Sequence, residues 1–428
     1  MGIGSTSYGK LIDEINSIEM IDIHSHIDPT HPTAMNPGEI LLYHYIVTEL
    51  RSAGVPAAIL SEDKDPKKKV KEAMPYLRSI SNTTTYWCLM RILRDIYGFE
   101  GEFGHGNEDN YTKLLERIME ETGHGSRAEI ILRKRGMIRR TFLTFDCARE
   151  PPRYDPSLFT GALRIEPLIG RLSHSSLEGL SRITGRNIEG INEFEEALAQ
   201  LFRRFKGCAA VTASFLPSEI FTKPEKAKAE MAFGELIRGS SPTPEERRAL
   251  TSYALQSVLR RVEENGMPFQ MMVGVERPII GASPPDYALV ALEPRMLTSY
   301  CQLFNEFGDV NFDVFLANRI QSHELAVIAK NYPNVYVSGY WWYNLYPTII
   351  REVLRERVQM LPARKINGFF SDAYVAEWSY GKACLIRSQI AHVLAEMVDD
   401  GFYSMETAKE LAEDLMVRNP ARLYRLAQ

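Results

Sequence analysis

Short runs of apolar and β-branched residues recur along the chain, separated by longer stretches whose apolar positions return every three or four residues. The short runs read "MIDIH" (20–24), "RTFLTFD" (140–146), "ALRIEP" (162–167), "GCAAVTASF" (207–215), "PFQMMVG" (268–274), "FDVFLA" (312–317), "NVYVSGY" (334–340) and "NGFFSD" (367–372). Their nearly continuous apolar character predicts parallel strands buried on both faces. Between them, "NEFEEALAQLFRRF" (192–205), "PEERRALTSYALQSVLRRVEEN" (244–265), "SHELAVIAKNYP" (322–333) and "WSYGKACLIRSQIAHVLAEMVDDG" (378–401) carry the amphipathic period of helices. Strand followed by helix, eight times, predicts an α/β chain closed into a (β/α)8 TIM barrel rather than an open doubly wound sheet. The link "CAREPPRYDPSLFTG" between the second and third runs is short for a crossover helix.

One departure is long. From Ile27 to Met137 no strand run occurs, and "GEILLYHYIVTELRSAG", "PKKKVKEAMPYLRSI", "TTTYWCLMRILRDIYGF" and "YTKLLERIMEETG" all read as helices. The expected organisation is a barrel from residues 1–26 and 138–428. Residues 27–137 form an α-helical insertion over one of its mouths.

Composition narrows the function classes. With 45% hydrophobic and 25% charged residues and a formal net charge of −5, the chain is ordinary globular protein. Nothing in this balance suggests a nucleic-acid or anionic-membrane partner. The one basic run, "KDPKKKVK" (64–71), follows an Asp65-Pro66 helix start and reads as a solvated helix face. No run of about 18 apolar residues is present to span a membrane. The N-terminus lacks the basic and apolar regions of a signal peptide. Five scattered cysteines without CxxC spacing fit a reduced, cytoplasmic chain. The absence of GxGxxG after an early strand argues against dinucleotide binding. Whether copies assemble into a homo-oligomer is left open.

In such a barrel, chemistry gathers at the C-terminal ends of the strands. The first strand ends in His24-Ser25-His26 and the eighth in Asp372. Alternation along an extended chain places His24 and His26 on one side. The eighth strand lies beside the first in a closed barrel, so Asp372 completes a two-histidine, one-carboxylate set for one divalent metal ion. An isolated HxH is more often structural than metal-binding; the paired Asp372 shifts the balance. Zinc, manganese, iron and nickel all suit the set. Of the other histidines, His105, His124 and His174 read as loop residues, His323 and His392 as helical ones, and His31 as a neighbour of the mouth. Arg164, Arg277 and Arg319 lie on or just after the third, fifth and sixth strands, and three guanidinium forks near one rim favour a small anionic substrate. "GYWWYN" (339–344) ends the seventh strand, and two adjacent tryptophans, Trp341 and Trp342, cannot both point inward, so one is expected to line the pocket mouth.

These motifs, with the closing "RNPARLY" (418–424), resemble the amidohydrolase superfamily, and within it the chain is most similar to uronate isomerases. "IDIHSH" resembles their first-strand metal motif, "LYHYIVTELRSAGV" their segment with an active-site His-Tyr pair, and "NTTTYWCLMRILRDIYGF" their inserted helix. "GYWWYN" resembles their Gly-Trp-Trp-Phe-Asn, and "FFSDAYVAEWSYGK" their eighth-strand aspartate region. The resemblance implies a metal-dependent aldose–ketose isomerisation of a hexuronate or related sugar acid through an enediol. It implies His44 as a residue orienting a sugar oxygen, and either Asp372 or Tyr45 as the proton shuttle.

Departures accompany the resemblance. Met272 stands where the family's fifth strand has histidine, Thr212 and Ala213 replace an Asp-His pair on the fourth, and Tyr374 replaces an arginine after Asp372. With no fourth-strand lysine for carboxylation and no histidine on the fifth or sixth strand, where Leu316 stands, a binuclear hydrolase is disfavoured. The alternatives are a mononuclear hydrolase or decarboxylase acting on another small carboxylate, and a binding protein that retains only the barrel.

Overall fold

The computed structural model describes residues 6–61, 64–104, 106, 108–122, 127–282 and 287–427. Its eight parallel strands are β1 (Met20–Ser25), β2 (Ile138–Asp146), β3 (Phe159–Arg164), β4 (Cys208–Phe215), β5 (Phe269–Val273), β6 (Phe312–Leu316), β7 (Val335–Ser338) and β8 (Ile366–Asn367). They follow one another in chain order around the sheet, which makes a (β/α)8 barrel. The third run was expected to stay extended to Pro167; instead β3 stops at Arg164, and Glu166–Leu168 form a 3-10 turn containing Pro167. β2 and β3 pair in parallel although the link 147–158 carries no helix, so one of the eight expected helices is absent. A two-stranded ribbon, Val275–Glu276 with Leu289–Val290, follows β5.

The seam between the first and last strands is closed by main-chain hydrogen bonds. The Asp372 N–H donates to the His24 carbonyl at 3.0 Å, and the His26 N–H donates to the Ala373 carbonyl at 2.8 Å. Outside the seam, the buried Asp22 carboxylate accepts from the Ser371 N–H at 2.7 Å and the Ser379 hydroxyl at 2.9 Å. Burial pushes Asp22 up to about 6 despite those bonds.

Strand alternation sorts the core into two shells. Phe142 on β2, Ala162 on β3, Ala210 on β4, Met272 on β5 and Phe315 on β6 fill the barrel interior, joined by Phe370 and Tyr424. Their strand neighbours Leu143, Leu163, Val211, Met271 and Val314 pack outward against the helices. Between β1 and β2, the regular elements among the described residues are all helices. These include His44–Ser52, Pro66–Ala73, Thr84–Tyr97 and Glu108–Glu121. Asp65 caps Pro66–Ala73 by accepting from the Lys68 N–H, as its sequence predicts.

Arg387 ties the N-terminal helix Thr6–Ser17 to the barrel floor. Its buried guanidinium donates to the carbonyls of Ile15 and Ile18 at 2.6 Å each, and to those of Gly136 and Met137 at 3.1 and 3.3 Å. Replacing it removes a donor from four carbonyls, those of Ile15 and Gly136 in buried surroundings. Arg387→Leu is therefore expected to lower the unfolding free energy in urea by about 3 kcal/mol, and an unchanged midpoint would refute this anchor.

Candidate metal centre

Strict alternation from Ile21 and Ile23, both in the barrel interior, would turn His24 outward. A bulge prevents this. Asp22 pairs with Thr141 and Ser25 with Leu143, so β1 spends three steps where β2 spends two. The extra residue brings His24 in beside the rings of Phe315 and Phe370, at 5.9 and 6.1 Å. His26 follows on the same side, its ring edge-on to His24 at 5.1 Å.

Asp372 meets both imidazoles. Its Oδ1 lies 3.2 Å from His26 Nε2 and 3.8 Å from His24 Nε2. Its other oxygen accepts from the Trp341 indole N–H at 3.0 Å and the Tyr45 hydroxyl at 3.2 Å. Asp372 adopts φ of +51°, a left-handed conformation that costs a non-glycine residue energy and holds the carboxylate toward the histidines. Burial alone would raise its pKa, but the adjoining imidazoles and the Lys382 ammonium outweigh burial and hold it well below the usual carboxylate range.

The donor set fits a divalent ion. The ligand atoms of His24, His26 and Asp372 lie within 4.8 Å of one another. Thr144 gives its hydroxyl proton to the Ser25 carbonyl at 3.1 Å, so at 2.9 Å it accepts from His26 Nδ1–H and leaves Nε2 bare. His24 Nε2 is buried and has no hydrogen-bond partner, a costly state that a metal ion relieves. Burial, followed by the neighbouring His26, brings the His24 pKa down to about 3, so the imidazole is a neutral ligand at physiological pH.

Above this group lies a cavity of about 130 Å³. His44, Trp341, Thr212, Met272, Arg164 and Arg277 are among its walls. His44 is kept neutral to about pH 3, first by burial and then by the charge of Lys382. Tyr45 does not reach the cavity; it lies behind Asp372, with the Lys382 ammonium 4.7 Å from its ring. Lys382 is buried, donates to the Ser371 carbonyl at 2.7 Å, and is drawn down to about 8 by burial.

The three expected arginines divide. Arg164 is held by Glu166, with Nε 2.6 Å from the carboxylate. Arg277 has no carboxylate within ion-pair distance among the described residues; its nearest polar contact is the Ser214 hydroxyl at 3.5 Å. Arg319, expected at the rim, belongs elsewhere. The 3-10 turn after β6 carries it to the surface, where it pairs with Glu352 at 3.2 Å. Arg171, which the sequence did not single out, reaches the same Ser214 hydroxyl at 3.5 Å. Of the two tryptophans, Trp341 faces the pocket, yet it is 4% exposed and its indole serves the Asp372 carboxylate. The Trp342 side chain, like His105 and His124, lies outside the described residues.

The remaining positions have plain surroundings. His174 pairs with Glu178, His323 with Glu356, and His392 stacks on Tyr8. His31 contacts Thr30 away from the centre. Of the departures, Thr212 and Met272 face the cavity, whereas Ala213 points into the outer core. Tyr374 is 47% exposed and stacks on His26 at 5.1 Å.

No family model matches the chain. It is similar to the uronate isomerase of Thermotoga neapolitana, at 20% identity over 447 residues, covering 97% of this chain and 96% of the relative. Among solved structures it resembles the uronate isomerase of Thermotoga maritima, with a TM-score of 0.89 at 17% identity over 99% of this chain and 100% of the other. The glucuronate isomerase of Caulobacter crescentus gives 0.85 at 20% identity, with 99% and 94% covered. These likenesses confirm the barrel and relate the chain distantly to uronate isomerases along nearly its whole length.

Reconstituted protein is expected to hold one divalent ion per chain by mass spectrometry, and His24→Ala and Asp372→Ala to hold none. Full retention in either variant would remove that residue from the ligand set.

Proposed function

We propose that this chain is a metal-dependent isomerase of the uronate isomerase type, interconverting the aldose and ketose forms of a hexuronate or related sugar acid. One observation carries the reading: the His24–His26–Asp372 group faces, across a single cavity, an arginine that pairs with no carboxylate among the described residues. Arg277 then holds the sugar's carboxylate with its fork, leaving C1 and C2 to the metal-binding end.

His24, His26 and Asp372 would hold a divalent ion, which would supply Lewis-acid stabilisation of the negative charge that develops on the enediolate. Proton movement belongs to the protein. Asp372 is ionised and takes the C2 proton; the electrons of that bond form the C1=C2 enediol, and the carbonyl oxygen at C1 gains a proton. Asp372 then exchanges its proton with solvent and protonates C1, while the C2 hydroxyl releases a proton in place of the one taken up by the C1 oxygen, which gives the ketose. His44, neutral and on the cavity wall, hydrogen-bonds a sugar oxygen. Tyr45 and Trp341 fix the carboxylate by donating to its far oxygen, which favours Asp372 over Tyr45 as the shuttle.

Zinc- or manganese-loaded protein given D-glucuronate in D₂O is expected to yield a ketose with deuterium at C1 and all six carbons retained. Release of carbon dioxide, or turnover of a hydrolysable carboxylate without exchange, would instead establish the decarboxylase or hydrolase reading. Arg277→Met should cut kcat/KM by roughly 10–100-fold, the worth of a charged hydrogen bond. Unchanged kcat/KM would place the substrate carboxylate elsewhere.

A further inference from the structure

Beneath the metal centre, the barrel interior holds a file of buried polar groups. β5 turns Gln270 inward with no exposure to solvent. Its amide nitrogen donates to the Ile23 carbonyl at 2.8 Å and to the Tyr424 hydroxyl at 3.0 Å, while its oxygen faces His24 Nδ1 at 3.3 Å. A main-chain carbonyl can only accept, which fixes the amide with nitrogen toward Ile23 and oxygen toward His24. An amide oxygen cannot donate, so the His24 proton sits on Nδ1. The lone pair is then on Nε2, the buried atom without a partner.

The file continues downward. Tyr424 has one hydroxyl proton and gives it to Asp313, leaving its lone pair for Gln270. Asp313 is wholly buried and also accepts from the Ser338 hydroxyl and from the Asn367 amide at 3.3 Å. Every donor therefore points the same way: His24 to Gln270, Gln270 to Tyr424, Tyr424 to Asp313. Hydrogen bonds aligned in this manner polarise one another, and the carboxylate at the end draws charge along the file. Tyr424 follows the helix Asn419–Leu423, whose Asn419 is bonded to the carbonyls of Ala363 and Ile366 at the start of β8. The C-terminal segment thus closes the floor of the barrel and reaches toward the ligand at its other end.

We propose that Gln270 and Tyr424 are positioning residues that fix the tautomer of His24 and transmit the pull of Asp313 to its ring. A ligand imidazole oriented through its second nitrogen is a stronger base toward a metal. The file rests on the reading of His24 as a metal ligand, but its two parts are measured separately.

The first measurement is the ring-nitrogen NMR spectrum of the full, metal-free chain labelled with ¹⁵N-histidine, with His24 assigned by difference against His24→Ala. The wild type should carry the His24 proton on Nδ1, and Gln270→Leu should lose that signature. The second is Zn²⁺ affinity by competition with a chromophoric chelator. Gln270→Leu should bind roughly 10–100-fold more weakly. Gln270→Glu, which keeps an oxygen facing Nδ1, should recover most of that loss. Tyr424→Phe should weaken binding by less, because its ring stays packed 4.8 Å from Phe142. If Gln270→Leu does not fold, Tyr424→Phe decides alone. Wild-type affinity in the folded variants, or a proton on Nε2 of the wild type, overturns the proposal. A wild type with the Nδ1 proton but no Zn²⁺ uptake overturns instead the metal-centre reading on which it rests.

Discussion

Two main-chain hydrogen bonds, from Asp372 to His24 and from His26 to Ala373, join the last strand to the first. They interleave the residues of the candidate metal centre. Each bond fixes one ligand's backbone against the opposite strand, so the separation between the Asp372 carboxylate and the two imidazoles is set by barrel closure itself rather than by a flexible loop. That matters because an ion's coordination tolerates only small errors of position. The seam is also pinned from outside, where Asp22 takes the Ser371 N–H and Lys382 gives a proton to the Ser371 carbonyl. Burying those two charged groups is costly, and their displaced pKa values record it.

The same burial arranges the charges around the pocket. His24 and His44 stay neutral, so neither adds a positive charge beside Asp372. Lys382 lies behind the carboxylate and favours its ionised form. The arginines stand on another wall, carried by β3 and by the chain beyond β5, and Glu166 neutralises Arg164. An anionic group entering this cavity meets attraction at Arg277, whose charge draws it to that wall.

The strands and the grouping of His24, His26 and Asp372 were legible in the sequence because both depend on local pattern and chain order. Apolar runs mark strands, and the order of strands in a closed barrel makes the first and eighth neighbours. What depends on register was not legible. Alternation correctly put His24 and His26 on one side, but only the bulge between Asp22 and Ser25 turns that side inward above Ile21 and Ile23. Arg319 looked like a rim residue because it follows a strand; the turn after β6 carries it to Glu352 instead. Trp341, Arg171, Gln270 and Tyr424 act through partners far away in the chain, and no spacing rule announces a contact such as Gln270 with Tyr424.

The departures at Thr212, Met272 and Tyr374 bear on which groups can move a proton. Among the described residues lining the cavity, Thr212 and Met272 do not titrate near neutral pH, and Glu166 is engaged by Arg164. His24 and His26 each commit one nitrogen to a hydrogen bond within the protein and direct the other at Asp372. Tyr374 covers the outer face of His26 with its ring. Proton traffic is thereby narrowed to Asp372 and His44. Burial keeps His44 uncharged to about pH 3, which suits it to hold a hydroxyl rather than to store a proton at neutral pH. In the proposed reaction, thinning the titratable groups in this way leaves base chemistry to the one carboxylate that the barrel seam, Tyr45 and Trp341 all hold in place.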